Sequence, residues 1–161
     1  MIEQLIMLMM EYDRGDARRI QHFLKVHSFA KMICEYENLK SKDQFIVESA
    51  AVVLDIAVHL CEDKYGSTEG HLQEKEGPDL ARWLLKRLDY DADEIERICF
   101  LVGHHHTYNG IDGIDHQIVI EADWLATLYE SRADEKTIKA AYQKLFKTPK
   151  GRQLCEIIYD V

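Results

Sequence analysis

Proline is scarce in this sequence. Only Pro78 and Pro149 occur in 161 residues, and both read as first-turn residues of helices. Long helices are therefore free of the usual interruption. No stretch alternates apolar and polar residues for long, which excludes a substantial sheet. No C-x-x-C pair occurs either. The four cysteines, Cys34, Cys61, Cys99 and Cys155, lie far apart in apolar helical contexts, so they read as reduced core thiols of a cytosolic protein. A basic excess is also missing. The formal net charge is −9, so a nucleic-acid polymer is not an expected partner. A small anion remains compatible, because a local metal or lysine outweighs a distant negative surface. The N-terminal "LIMLMM" is too short to span a membrane and lacks a basic leader, so no membrane association is expected.

Helical periodicity is what the sequence does contain. The content is 47% hydrophobic and 30% charged, which suits a globular core. Helices are expected over about 2–13 and 16–38, the second capped by Asp16. Ser41 with Gln44 reads as a capping box for a helix over about 42–61. A polar loop, "EDKYGSTEGHLQEKEG", follows, and a helix over about 77–89 begins at Pro78. Asp91 with Glu94 forms a second capping box, opening a helix that ends near "GHHH". "TYNGIDGID" is a loop rich in Gly, Asn and Asp, and Asp112 and Asp115 read as turn residues in it. Helices over about 116–130, 134–146 and 149–159 complete the chain. The expectation is one all-α domain over residues 1–161, an irregular bundle of about seven or eight helices.

Three ligand-type residues lie on largely apolar helical stripes. Asp55 stands in "AVVLDIAVHL", Asp123 in "IVIEADWLATL" and His27 in "HFLKVHSFAKMI". A buried carboxylate must be protonated, paired, hydrogen-bonded or bound to a metal. Metals in helical bundles are held by inward-facing Asp, Glu and His. His104, His105 and His106 form a further cluster. Neighbours on a helix point about 100° apart, so one or two of the three can address one site. His22, His71 and His116 read as surface or core histidines, and Trp83 and Trp124 as core.

At these residues the chain resembles the HD-domain superfamily of metal-dependent phosphohydrolases. "VHSFAKMI" resembles that family's first element and supplies His27. "AAVVLDIA" resembles its His-Asp dyad, with Leu54 in the histidine position and Asp55 retained. "GHHHTY" resembles the added-histidine element, and "EADWLATL" the final one, with Asp123. "EGPDLARWLL" resembles a helix that begins with another ligand in two-metal members, here Glu76. The resemblance covers about residues 16–130, with the C-terminal helices packed on it.

The resemblance implies a first metal site of His27, Asp55 and Asp123, and a second of His104, His105 and Glu76 bridged by Asp55. The metal would be one or two divalent ions of Fe, Mn, Ni, Co or Zn. The activity implied is hydrolysis of a small phosphoester, a nucleotide foremost, by metal-activated water. Asp55 and Lys64 are the catalytic candidates. Lys64, Gln73 and Tyr108 are the substrate-binding candidates. A small phosphorylated molecule is the expected partner, the cytoplasm the expected location, and a homodimer is allowed. Leucine cannot ligate, so Leu54 raises two alternatives: an impaired HD domain serving as a binding or regulatory module and, ranked lower, a di-iron oxygenase on the same scaffold.

Overall fold

A computed structural model describes every residue, Met1–Val161. The chain forms nine α-helices and no strand: α1 (Ile2–Tyr12), α2 (Ala17–Tyr36), α3 (Ser41–Val53), α4 (Val58–Tyr65), α5 (Gly70–Leu85), α6 (Ala92–Val102), α7 (Gly113–Glu130), α8 (Glu135–Leu145) and α9 (Pro149–Tyr159). The all-α irregular bundle agrees with the sequence. The run expected over 42–61 is longer and is divided. Ser41–Tyr65 forms one 25-residue helical segment, with turns at residues 54–57 separating α3 from α4. Asp55 lies in that division rather than on a helix face.

The 25-residue segment is long and apolar enough to cross a membrane, but 67% of its apolar window is buried inside the protein. It is the centre of the core. Val47, Ala50, Ala51 and Leu54 join Val26, Ala30 and Ile33 of α2, Ile98 and Leu101 of α6, and Ile118, Ala122 and Leu125 of α7 in one cluster of 33 buried residues. Helix α2 packs on α3 and α7, α5 packs on α6, and α9 seats against α7 and α2.

Local chemistry explains most helix ends. The Asp16 side chain accepts from Arg19 N at the start of α2. Asp91 and Glu94 form the expected capping box at α6. Ser41 and Gln44 do not form one. Helix α3 begins at Ser41 after Lys40 with no side-chain cap, and Gln44 donates to Glu48 instead. Helix α5 begins seven residues before the expected start, at Gly70, so Pro78 lies inside it. The stretch read as loop is amphipathic: Gln73, Gly77, Ala81 and Leu84 recur on one buried face. At Gly77 a Cβ would meet Val102 Cγ1 at 2.7 Å, so glycine sets the close approach of α5 to α6. Trp83, read as core, is 51% exposed and stacks beneath the Arg87 guanidinium.

Candidate metal centre

The division between α3 and α4 aims Asp55 into the space enclosed by α2, α7 and the turn after α6. His22 Nε2, from the first turns of α2, lies 3.0 Å from Asp55 Oδ2 and 3.2 Å from Asp123 Oδ1. On the other side of the same carboxylate, His105 Nε2 lies 3.3 Å from Asp55 Oδ1. The His106 ring packs on that of His105, with centroids 4.0 Å apart. Two groups result, His22–Asp55–Asp123 and Asp55–His105–His106. Within each, the potential ligand atoms lie within 4.8 Å of one another. Asp55 belongs to both.

Each ring is oriented through its other nitrogen. His22 Nδ1 is 2.7 Å from Glu130 Oε2, which Lys25 holds in turn. His105 Nδ1 donates to the Val102 carbonyl at 2.7 Å. Such partners fix ring orientation and leave Nε2 for the site. Neither His22 Nε2 nor His105 Nε2 is aligned for a hydrogen bond, despite the short distances.

The electrostatics follow from burial opposed by close charge. Burial pulls the His22 imidazole down, but Asp123 and Asp55 push it up to about 11. Burial likewise lowers His105, and the Asp55 carboxylate outweighs it and raises the ring. Burial pushes Asp55 up, while His105 and His22 together hold it well below the usual carboxylate range. His106 is lowered, first by burial and then by the neighbouring His105 charge. A proton and a metal ion compete for one imidazole lone pair. Carboxylates that favour a proton on His22 Nε2 therefore favour a divalent cation there as well. Buried, unpartnered nitrogens beside carboxylates are a donor set that suits such an ion.

The centre opens into a cavity of about 340 Å³ lined by Arg18, Arg19, Gln73, Tyr108, Trp124 and Thr127, among others. Five buried polar atoms without an aligned hydrogen-bond partner belong to residues lining it: His22 Nε2, Gln73 Oε1, His106 Nε2, Trp124 Nε1 and Glu130 Oε1, the last of which Lys25 pairs by charge. Unpaired buried polar atoms are costly, so their convergence on one cavity makes it the candidate binding site. Arg19 Nη1 is 3.3 Å from Asp55 Oδ2.

The expected site residues divide. Asp55, Asp123 and His105 meet as described, and Gln73 and Tyr108 line the cavity. His27 does not join them. Its Nε2 is 2.9 Å from Glu48 on α3, and His22 takes the place expected for it. Five residues along α2 turn a side chain by about 140°, so the two histidines face different helices. His104 also turns away: its ring stacks on Phe100 at 4.0 Å and its Nδ1 bonds the Phe100 carbonyl. His106 is the second histidine of the pair. Glu76 accepts from Lys64 at 2.9 Å and from Tyr65 at 2.5 Å, outside the cavity lining, and that pairing takes Lys64 away as well. The basic residues at the cavity are Arg18 and Arg19. Asp112 and Asp115 do more than turn the chain, since both clamp Arg97.

The missed residues had sequence signals. His22, Phe23, Val26, Ala30 and Ile33 form the buried face of α2, whereas the face of His27 carries Lys31. A histidine in line with the wholly apolar stripe was the better choice.

No family model and no curated protein matches the chain. Among solved structures, the crystal structure of a predicted HD superfamily hydrolase from an uncultured Thermotogales bacterium is similar. It covers 98% of this chain and 84% of its own, with a TM-score of 0.72 and 20% sequence identity. The chain has the HD-domain fold.

Proposed function

We propose that the protein is an HD-type metal-dependent phosphohydrolase acting on a small phosphoester. The observation that carries this reading is Asp55, one carboxylate shared by two ligand groups at the floor of a cavity with two arginines in its wall.

His22, Asp55 and Asp123 would hold one divalent ion, and Asp55, His105 and His106 a second. When bound, such an ion supplies Lewis acidity to a phosphoryl oxygen and acidifies a water for attack on phosphorus. Arg18 and Arg19 present guanidinium donors whose geometry matches phosphoryl oxygens. Glu130 fixes the His22 ring through Nδ1, and the Val102 carbonyl fixes His105. Gln73, Tyr108 and Trp124 wall the space for the organic half. Water oxygen adds to phosphorus, the ester P–O bond breaks, and the alcohol leaves with one proton of that water. A nucleotide is the substrate expected from the sequence. The reading takes residues 1–161 as a single domain working in the cytoplasm.

The test is phosphate release from a panel of nucleoside monophosphates, sugar phosphates and simple alkyl and aryl phosphates, with Mn, Fe, Co, Ni or Zn supplied. Turnover should need the metal and fall at least about a hundredfold in Asp123→Asn. Protein holding stoichiometric metal that releases phosphate from no member of the panel overturns the reading.

One observation favours a second reading, an impaired domain that binds without turnover. Leu54 is buried in the core and offers no donor atom, while Arg19 and two histidines already neutralise Asp55. Ligand binding with no metal uptake would select it.

A further inference from the structure

A second pocket of about 260 Å³ lies beside the metal-centre cavity, between α7 and α8. Its lining is Tyr108, Trp124, Thr137, Ala140, Ala141, Lys144 and Leu145, and its exposed wall is apolar. Tyr108 and Trp124 line both spaces. Their rings meet edge to face, with centroids 6.0 Å apart at 65°, so the aromatic pair forms part of the wall shared by the two spaces. Trp124 follows Asp123 directly. The helix that supplies a carboxylate to the centre thus also supplies the partition. Tyr108 comes from the short segment between α6 and α7, two residues before Gly110, whose φ of +72° allows a tight turn there.

Two features suit a ligand that extends from one space into the other. Each volume alone, about 260 and 340 Å³, lies near or below the lower limit of small-molecule sites, roughly 300–1,000 Å³, whereas the two taken together fall well inside that range. Trp124 Nε1 is buried and, although it lies near the Tyr108 hydroxyl, is not aligned to donate to it, so a bound molecule's oxygen could accept from it. Although Thr137 and Lys144 flank the annex, the surface it exposes is apolar, which suits an apolar group better than a nucleobase with a rim of donors and acceptors.

We infer that the substrate of this centre is an amphipathic phosphoester whose organic group is apolar, an alkyl or unsubstituted aryl moiety, seated past Tyr108 and Trp124 in the annex against Ala140, Ala141 and Leu145. This rests on the phosphohydrolase reading for the placement of the phosphoryl group. Arg18 and Arg19 would face the anionic end, and α8 the apolar end. The annex therefore sets specificity, and the metal centre sets chemistry.

Binding and turnover separate the two claims. With the metal-loaded protein, calorimetry compares 1-naphthylmethylphosphonate with methylphosphonate, neither of which can be hydrolysed. The naphthyl probe should bind at least tenfold more tightly, and Ala140→Trp, which fills the annex from the half-buried face of α8, should abolish that advantage. Thr137→Trp, at an exposed rim position, serves as a second obstruction should the first variant fold poorly. Equal affinity of the two probes for the native protein overturns the inference. So does an advantage that survives both obstructions. Turnover of methyl or glycerol phosphate without any gain for naphthyl phosphate sinks the annex and leaves the phosphohydrolase standing. A tenfold binding advantage with no ester hydrolysed does the reverse.

Discussion

His22 Nε2 sits 3.0 Å from Asp55 Oδ2, while His27, one and a half turns along the same helix, pairs with Glu48. The two histidines make opposite predictions. His22→Ala should remove a ligand and leave Asp55 and Asp123 without the imidazole between them, Asp55 keeping only Arg19 and His105. Metal content should fall at least about tenfold, and stability by about 3 kcal/mol. His27→Ala should leave metal content unchanged and cost about 1 kcal/mol, the scale of a partly exposed pair. Elemental analysis with urea denaturation of both variants decides it. Metal lost from the His27 variant alone would show that the assignment is reversed.

Leu54→His should pull in two directions. Leu54 is 2% exposed within the core cluster, so a polar ring there should destabilise by about 2–4 kcal/mol. The new imidazole is also a fourth donor next to Asp55. Metal affinity should rise even as the melting temperature of the metal-free protein falls. Calorimetric metal titration beside thermal melting reads both. A variant with unchanged affinity would mean that the position does not reach the ion.

Asp13 should control part of the pH dependence of stability. Burial raises its carboxyl to about 6, opposed by His59, whose Nε2 is 3.6 Å away. A folded-state value above the unfolded one means that the folded protein binds this proton more tightly. The resulting stabilisation is complete below the unfolded value near 3.8 and is lost as pH rises through about 6. Asp13→Asn should therefore be more stable than the native protein at pH 7–8, by up to about 3 kcal/mol. At pH 3.5 the gain should vanish. Denaturant midpoints for both proteins across this range are the measurement, and a gain that does not vary with pH would refute the cause assigned.

Gly151→Ala should be the most damaging single-methyl change at the C-terminal end. A Cβ there would fall 1.8 Å from Glu121 Oε1. That carboxylate is fully buried and cannot swing out to solvent, because it accepts from the Thr148 hydroxyl at 2.7 Å and from Thr148 N at 3.2 Å. The overlap should cost about 3 kcal/mol and loosen α9 first. Hydrogen exchange over Pro149–Tyr159 beside a global melt would show it. Native-like protection there would refute it.

The bundle was legible because helical periodicity is local, and each apolar stripe names its own buried face. Asp55 and Asp123 were legible for the same reason, as single carboxylates in apolar runs. The division at residues 54–57 was not, because "LDIA" contains neither glycine nor proline to signal it. The true start of α5 was not legible because Pro78 marks a helix start far more often than an interior. The bundle tolerates it where Gly103 leaves room: a Cβ there would lie 3.0 Å from the Pro78 ring. His22 was legible in principle, because it continues the apolar stripe of Val26, Ala30 and Ile33, but the family resemblance of "VHSFAKMI" points to His27 instead. Arg18 and Arg19 became site residues only once α2 and α7 met across the cavity.

Because Asp55 serves both ligand groups, ions in the two positions would not bind independently. Whatever the first does to the affinity of the second, the second must do equally to the first. Titration to half-saturation would then report a joint constant rather than two separate ones, and a substitution at this one carboxylate would shift both occupancies together.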